Sequence, residues 1–131
     1  MIGLDTNLLV RLLVLDDEEQ VARVRALLDR CHENGTRCLL TIVVLCELEW
    51  VLATSYEVSR EEIALAVRRF VADELFEVEE QQVVQQALDD YGRGRGDLSD
   101  YLLAARGHAL GAMTTFTFDK ALRDCERFTL L

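Results

Sequence analysis

Residues 1–15 are MIGLDTNLLVRLLVL, and this opening combines two local patterns. MIGLD predicts a short apolar strand, and TNLLVRLLV predicts a helix that begins directly after it. Asp5 lies at the junction, where it places a charge at the end of an otherwise apolar strand. A strand joined at once to a helix is typical of an α/β fold, so the opening predicts that class and leaves Asp5 to be explained.

The rest of the chain repeats the alternation of short apolar strands and longer helices. Further strands are predicted at RCLLT (37–41), LFEVE (75–79), AMTTFTF (112–118) and RFTLL (127–131). Helices are predicted at residues 16–35, 41–56, 59–73, 80–92, 97–111 and 119–125, with a break at GRGRG (92–96), where three glycines loosen the backbone. We therefore expect an α/β fold with a parallel sheet of about four to five strands flanked by helices, in a single domain of residues 1–131.

Composition limits the classes of protein to consider. Half of the residues are hydrophobic, so the chain can bury a substantial core, and the net charge of −10 argues against broad electrostatic attraction to nucleic acid. Four cysteines without metal-binding spacing are expected to be buried thiols: Cys31, Cys38, Cys46 and Cys125. No signal-peptide pattern and no apolar run of roughly 20 residues is present, so we expect a cytoplasmic protein without a membrane partner.

Two acidic residues follow predicted strands, Asp5 after the first and Asp119 after AMTTFTF. In an open parallel sheet, ligands bind beyond the carboxyl ends of the strands, so both positions suit a functional site. Asp is also a preferred N-cap residue, and either side chain could simply cap the helix that follows it. Neither position alone decides between the two interpretations.

Two further acids lie at the start of the predicted helix 97–111. Asp97 fits its N-cap, and Asp100 in the first turn carries a negative charge that suits the helix dipole. Asp100 also shares a helix face with Leu103 and Ala104, which favours packing over exposure.

Glu47 lies in the strongly apolar predicted helix 41–56. Four apolar residues occupy the spacings that share its helix face: Val43, Val44, Leu48 and Val51. The sequence therefore predicts that the Glu47 carboxylate lies at or near the core, and that Glu49, roughly 200° around the helix, is an ordinary exposed acid. A buried unpaired carboxylate is costly, so Glu47 would need a partner or a cation.

Acids from separated segments, each placed where an α/β sheet keeps its site, suggest a shared cluster: Asp5, Glu47, Asp100 and Asp119. Crowded carboxylates repel one another unless a cation lies among them. Oxygen ligands without His or Cys favour magnesium or manganese. Such a site commonly acts on phosphates.

These segments resemble the motifs of a known family along the whole chain. MIGLDTNLLVRLL and VVLCELEWVL resemble the first two motifs of the PIN-domain ribonucleases, and more narrowly of the VapC-type toxins of toxin–antitoxin pairs. RGDLSDYLLAARGHALGAMTTFTFDKAL resembles the third and fourth motifs, with Leu98 and Leu122 where the family often has Phe. Each motif is short, but their order, their spacing and their agreement with an α/β topology make the combined match specific.

The resemblance implies an endoribonuclease that requires Mg²⁺ or Mn²⁺ and cleaves structured RNA of the tRNA or rRNA class. The acids that it assigns to catalysis and to metal binding are Asp5, Glu47, Asp100 and Asp119. It adds one further acid at the metal site and three supporting residues, namely Asp97, Thr6, Asn7 and Thr117. It also implies a homodimer and a cognate VapB-type antitoxin whose C-terminal segment occupies the toxin's groove.

RNA binding by a chain of net charge −10 requires a local basic surface. Arg93 and Arg95, in the glycine-broken segment just before Asp97, are the RNA-binding candidates by position. The alternative is a solvated loop that carries two ordinary arginines.

Other classes of protein fit the sequence less well. A haloacid dehalogenase-type phosphatase needs a second Asp where this chain has Asn7, and a response-regulator receiver domain needs an acidic pair at the end of the first strand. Within the family resemblance, two alternatives stay open: a non-toxin PIN-domain nuclease that processes RNA, and a catalytically silent α/β module that binds a protein partner and uses its acids as caps.

Overall fold

The computed structural model describes all 131 residues, which divide into two compact units, Met1–Glu79 and Glu80–Leu131. The first unit contains, in order, β1 (Ile2–Gly3), α1 (Thr6–Val14), α2 (Glu18–Glu33), β2 (Cys38–Leu40), α3 (Ile42–Ser55), α4 (Arg60–Ala72) and β3 (Phe76–Val78). The second contains α5 (Gln81–Arg93), α6 (Leu98–Ala109), β4 (Thr115–Thr117), a 3-10 turn (Lys120–Leu122) and β5 (Phe128–Leu130).

A parallel three-stranded sheet in the order β1, β2, β3 organises the first unit. Ile2 aligns with Cys38, and Leu40 aligns with Val78, so β2 is the central strand. Parallel neighbours require long crossover connections, and here two helices join each strand to the next. The carboxyl end of β1 therefore leads directly into Asp5 and α1.

Side-chain caps determine where the helices of the first unit begin. Asp17 Oδ1 accepts a hydrogen bond from the backbone N–H of Gln20 at 3.0 Å, which starts α2. Ser59 Oγ accepts one from the N–H of Glu62 at 3.2 Å, which starts α4. The predicted start at Ser59 is confirmed, and α2 begins within two residues of its predicted start at Asp16.

The second unit packs α5 against α6 and pairs β4 with β5 in parallel. Tyr101 of α6 is buried at its centre, with its ring edge-on to those of Tyr91 and Phe128 at centroid distances of 6.4 Å and 6.5 Å. Such aromatic pairs contribute about 0.5–1.5 kcal/mol each beyond their burial.

The α/β class is confirmed, and the structure has five strands divided between a sheet of three and a sheet of two. Two details of the predicted second half are wrong. Arg93, expected in the glycine break, belongs to the last turn of α5, and the helix expected at residues 119–125 is a single 3-10 turn. None of the helices has both the length and the apolar character that crossing a membrane requires.

All four cysteines are free thiols, as expected, but only two of them are buried. Cys31 and Cys38 are buried, whereas Cys46 and Cys125 are half-buried. Burial raises the pKa of the Cys38 thiol to about 11, so this side chain stays protonated and packs as a small apolar group.

Candidate active site

In the first unit, a side-chain hydrogen bond joins the first two sequence motifs. Asp5 follows β1 and caps α1, with its Oδ1 accepting from the backbone N–H of Thr6 at 2.7 Å. The hydroxyl of Thr6, a buried residue, donates to Glu47 Oε2 at 2.7 Å. Asn7 is exposed in the first turn of α1. The structure thus links the segment that carries Asp5 to Glu47 through Thr6.

The predicted inward face of α3 is wrong. The residues that α3 buries recur at i, i+3, i+4 and i+7 along one stripe: Leu45, Leu48, Glu49 and Leu52. Glu47 is exposed and Glu49 is only 4% exposed, the reverse of the expectation. Val43 and Trp50 are about two-thirds exposed at 66% and 67%. The place of Glu47 in the site therefore depends on its hydrogen bond with Thr6 and not on burial.

In the second unit, Asp97 and Asp100 form the capping box that begins α6, with Asp97 at the predicted N-cap. The backbone N–H of Asp97 donates to Asp100 Oδ2 at 2.9 Å. Burial raises the pKa of the Asp100 carboxyl; the hydrogen bond from the Asp97 N–H opposes this shift, and the charges of Asp97 and Asp119 add to it. The negative charges of Asp97 and Asp119 therefore act on Asp100.

The expectation that Asp100 packs on an apolar face with Leu103 is only partly correct. Asp100 is half-buried and Ala104 is buried, but Leu103 is 58% exposed. The buried stripe of α6 instead contains Leu98, Tyr101, Leu102 and Ala105. Asp100 lies beside this stripe, which explains its partial burial.

Asp119 and Thr117 form a polar turn after β4. Thr117 Oγ1 accepts a hydrogen bond from the backbone N–H of Asp119 at 3.0 Å. Asp119 Oδ1 in turn accepts one from the N–H of Ala121 at 2.9 Å and caps the 3-10 turn. Thr117 therefore holds the backbone that carries Asp119, whose side chain is exposed.

Capping leaves these carboxylates available for a second role. The cap uses Oδ1 alone in Asp5 and Asp119, and the bond from the Asp97 N–H uses Oδ2 alone in Asp100. Carboxylate oxygens are the ligands that Mg²⁺ and Mn²⁺ prefer, so the donors fit a hard divalent cation. Neither unit by itself gathers three Asp, Glu, His or Cys side chains in an arrangement able to hold a metal ion. The match to a divalent cation therefore lies in the chemistry of the carboxylate oxygens.

Tyr101 holds the segment before Asp97 in place, a role that the sequence did not indicate. Its hydroxyl accepts a buried hydrogen bond from the N–H of Gly96 at 2.9 Å. A Cβ atom at Gly94 would lie 1.9 Å from the Tyr101 hydroxyl, and one at Gly96 would lie 2.2 Å from Leu122 Cδ2. The glycines thus permit close packing of the segment before Asp97, and the prediction that they loosen it is wrong. The regular spacing of the glycines was the sequence signal for this close packing.

The RNA-binding candidates Arg93 and Arg95 lie in different electrostatic surroundings. The buried carboxylate of Asp90 pairs with Arg127 at 2.9 Å and with Arg93 at 3.1 Å, so the charge of Arg93 is partly neutralised. Arg95 is exposed. Both arginines line a cavity of about 580 Å³ that also contains acidic residues, namely Asp90, Asp124 and Glu126.

Comparison with known proteins agrees with the motifs. A family model described as PIN domain matches residues 2–127 and so covers most of both units. The chain is also 26% identical over 120 residues to a VapC ribonuclease from Aquifex aeolicus (strain VF5), an alignment that covers 92% of this chain and 88% of that protein. No solved structure matches the chain.

Proposed function

Because the chain belongs to the PIN-domain family, we propose that it is an endoribonuclease that requires Mg²⁺ or Mn²⁺ and acts as the toxin of a toxin–antitoxin pair. The observation that carries the catalytic proposal is the hydrogen bond from Thr6 Oγ1 to Glu47 Oε2, which joins the acids of the first two motifs across 41 residues of chain. The similarity to a VapC ribonuclease supports RNA as the substrate and supports the toxin role.

The proposal assigns catalysis and metal binding to acids from both halves of the chain: Asp5, Glu47, Asp100 and Asp119, with Asp97 as an additional ligand. Their carboxylate oxygens would hold one or two divalent ions. When bound, such an ion would lower the pKa of a water molecule that attacks the phosphodiester and would stabilise the negative charge on the leaving oxygen. The expected products carry a 5′-phosphate and a 3′-hydroxyl.

The supporting residues hold these carboxylates in defined orientations. Thr6 donates to Glu47 Oε2, which fixes one oxygen and leaves the other for a ligand. Thr117 holds the backbone N–H of Asp119, and Asn7 adds an exposed amide beside Asp5. Because the pKa of the Asp100 carboxyl is raised, Asp100 releases its proton less readily than an ordinary Asp before it can bind a cation. Activity should therefore fall as the pH is lowered toward that raised pKa.

The proposed partners follow from the VapC-type similarity. They are an RNA of the tRNA or rRNA class, a cognate VapB-type antitoxin and a second copy of this chain in a homodimer, all in the cytoplasm. Arg93 and Arg95 are proposed RNA contacts. Arg95 is the stronger candidate, because the carboxylate of Asp90 already pairs with Arg93 and neutralises part of its charge.

The enzymatic proposal is tested with purified, antitoxin-free protein. Structured RNA should be cleaved in Mg²⁺ or Mn²⁺, cleavage should stop in excess EDTA, and it should return when Mg²⁺ is added beyond the chelator. Cleavage that continues at the same rate in EDTA would contradict the metal requirement.

The toxin role is tested by expression in growing cells. The wild-type chain and Asp17→Asn should both arrest growth, whereas Asp119→Asn should not. Asp17 is a suitable control because, like Asp119, it caps a helical turn through Oδ1, and it is outside the assigned set. Growth arrest by Asp119→Asn as strong as that by the wild type would exclude Asp119 from the activity.

A further inference from the structure

A groove between α1 and α2 in the first unit has a volume of about 620 Å³. We call it the α1–α2 groove, and its lining residues are Asn7, Leu8, Arg11, Gln20, Arg23, Val24, Ala26, Leu27 and Arg30. Apart from Asn7, the proposed reaction uses none of them. All of the lining residues belong to the first unit.

The charge of the α1–α2 groove is opposite in sign to that of the whole chain. Three of its nine lining residues are arginines, and none is Asp or Glu, whereas the chain as a whole has a net charge of −10. A concave surface of one charge sign concentrates ligands of the opposite sign. The groove therefore favours an anionic ligand in a protein that otherwise repels anions.

The three arginines differ in how far their charges are already satisfied. Arg11 donates to Gln20 Oε1 at 2.5 Å and to Asp16 Oδ1 at 2.8 Å, so it is held in place and partly neutralised. Arg23 and Arg30 are exposed, and no ion pair engages either of them. They lie seven residues apart on α2, or about 10 Å along the helix axis at 1.5 Å per residue. Two uncompensated guanidinium groups thus follow one side of the groove.

The floor of the groove indicates which part of an anionic polymer it contacts. The apolar lining side chains are aliphatic, namely Leu8, Val24, Ala26 and Leu27, and no aromatic ring is present on which a base could stack. A guanidinium group instead suits the paired oxygens of a phosphate. The groove is therefore built for the backbone of a nucleic acid and not for its bases.

Asn7 connects the groove to the proposed reaction. It lines the groove, and it is separated from Asp5 only by Thr6, the residue that bonds Glu47. A polyanion held along α2 can therefore extend toward the segment that carries the first catalytic acid. An acidic protein segment would also match the charge of the groove, and the test below therefore includes one.

We propose that the α1–α2 groove binds the phosphate backbone of the RNA substrate through Arg23 and Arg30, independently of base sequence. The proposal rests on the proposed ribonuclease function, since it names where that substrate is held. It supplies the local basic surface that a chain of net charge −10 needs in order to bind RNA.

The test measures RNA binding separately from cleavage. A fluorescein-labelled single-stranded oligouridylate is titrated with the full-length chain in EDTA, which prevents metal-dependent cleavage, at several salt concentrations. The groove variant is Arg23→Gln/Arg30→Gln. The matched control is Arg25→Gln/Arg69→Gln, which removes two exposed arginines of the same unit that do not line the groove. Each variant loses two positive charges.

The groove variant should bind at least about tenfold more weakly than the wild type, and the slope of log affinity against log salt should become shallower by about 1.4, as expected for two lost phosphate contacts. The control should bind within about twofold of the wild type, since Arg25 lies about 200° around α2 from Arg23, neither control residue lines the groove, and salt weakens the effect of charges that make no direct contact. Arg23→Lys/Arg30→Lys should keep most of the salt slope, because the charge is retained. Thermal unfolding of all variants confirms that each is folded.

Equal weakening by the groove variant and the control would overturn the proposal, because net charge alone would then explain the effect. Binding of a polyglutamate peptide that depends on Arg23 and Arg30, without oligouridylate binding, would overturn it in favour of an acidic protein segment. Normal RNA cleavage and binding by the groove variant would refute the groove and leave the proposed function intact. Groove-dependent RNA binding by a wild-type chain that cleaves nothing would refute the proposed function alone.

Discussion

At Thr6, one hydroxyl group connects the segment after β1 to a carboxylate on α3. Thr6→Val preserves the shape of this buried side chain and removes the donor. Because hydrogen bonds to charged groups contribute about 1.5–3 kcal/mol, we expect RNA cleavage to fall at least about tenfold as Glu47 loses its orientation. The cleavage rate at saturating Mg²⁺ measures the effect.

Thr54→Val is the matched control for this change. Thr54 is an exposed residue of α3 whose hydroxyl donates to the carbonyl oxygen of Trp50 at 2.6 Å and bonds to no acid. The Thr54→Val variant should cleave RNA like the wild type. Full activity in Thr6→Val as well would show that the bond to Glu47 is not needed for the reaction.

Asp100 gives the site a predictable dependence on pH. Its pKa in the folded protein is raised above the ordinary value of 3.8, chiefly by burial, so the folded state binds this proton more tightly than the unfolded state. The stability that this proton contributes is fully present below 3.8 and is lost as the pH rises through the raised pKa. At neutral pH, metal-free Asp100→Asn should therefore be more stable than the wild type.

Urea unfolding of both proteins in EDTA across the acidic range measures this difference. The advantage of Asp100→Asn should shrink as the pH falls, while its RNA cleavage at neutral pH should be lost. A difference in unfolding free energy that does not change with pH would contradict a raised pKa at Asp100.

The segment between α5 and α6 is tightly packed, so its glycines should tolerate substitution unequally. A Cβ atom at Gly96 would lie 2.2 Å from Leu122 Cδ2 and 3.2 Å from Asp100 Oδ2, whereas one at Gly92 would meet nothing within 4 Å. Gly96→Ala should lower the free energy of unfolding by about 1–3 kcal/mol through overpacking. Gly92→Ala, inside α5, should raise it by about 0.5–1 kcal/mol. Chemical denaturation measures both variants, and an unchanged free energy of unfolding in Gly96→Ala would show that the segment is loose.

At the scale of the elements, the sequence predicted where helices and strands lie along the chain better than it predicted which side of a helix is buried. The predicted helix start at Ser59 and the acids after β1 and β4 agree with the structure, because the signals for helix starts and strand ends are local. The buried stripe of α3 could not be identified, because that helix is apolar on most sides and its periodicity is weak. For that reason Glu47 was predicted to be buried and Glu49 to be exposed, the reverse of what the structure has.

The division of the strands into two sheets was also beyond the sequence. Each of the five strands is short, and the sequence of a strand does not specify which neighbour it pairs with. The Tyr101 packing and the α1–α2 groove were missed for a related reason, since both depend on residues that the fold brings together. The four acids could be proposed as a cluster from their positions along the chain, and the family motifs then assigned their roles and added Asp97 as a metal ligand.

Whether residues 1–131 unfold as a single domain remains a prediction at the scale of the whole molecule. If they do, one cooperative transition should be seen by two probes, the fluorescence of Trp50 for the first unit and the far-ultraviolet helical signal for both units together. Two transitions at different denaturant concentrations would show that the units are separate domains.

The central claim is that the charge at the end of β1 is catalytic as well as structural, and Asp5→Asn tests it against Asp17→Asn. Both residues cap helices through Oδ1, at 2.7 Å and 3.0 Å, and Asn caps about as well as Asp, so both variants should keep their unfolding free energy within about 0.5 kcal/mol. In Mg²⁺, Asp17→Asn should cleave RNA like the wild type, and Asp5→Asn should be at least about a hundredfold slower. Full metal-dependent cleavage by Asp5→Asn would contradict the account.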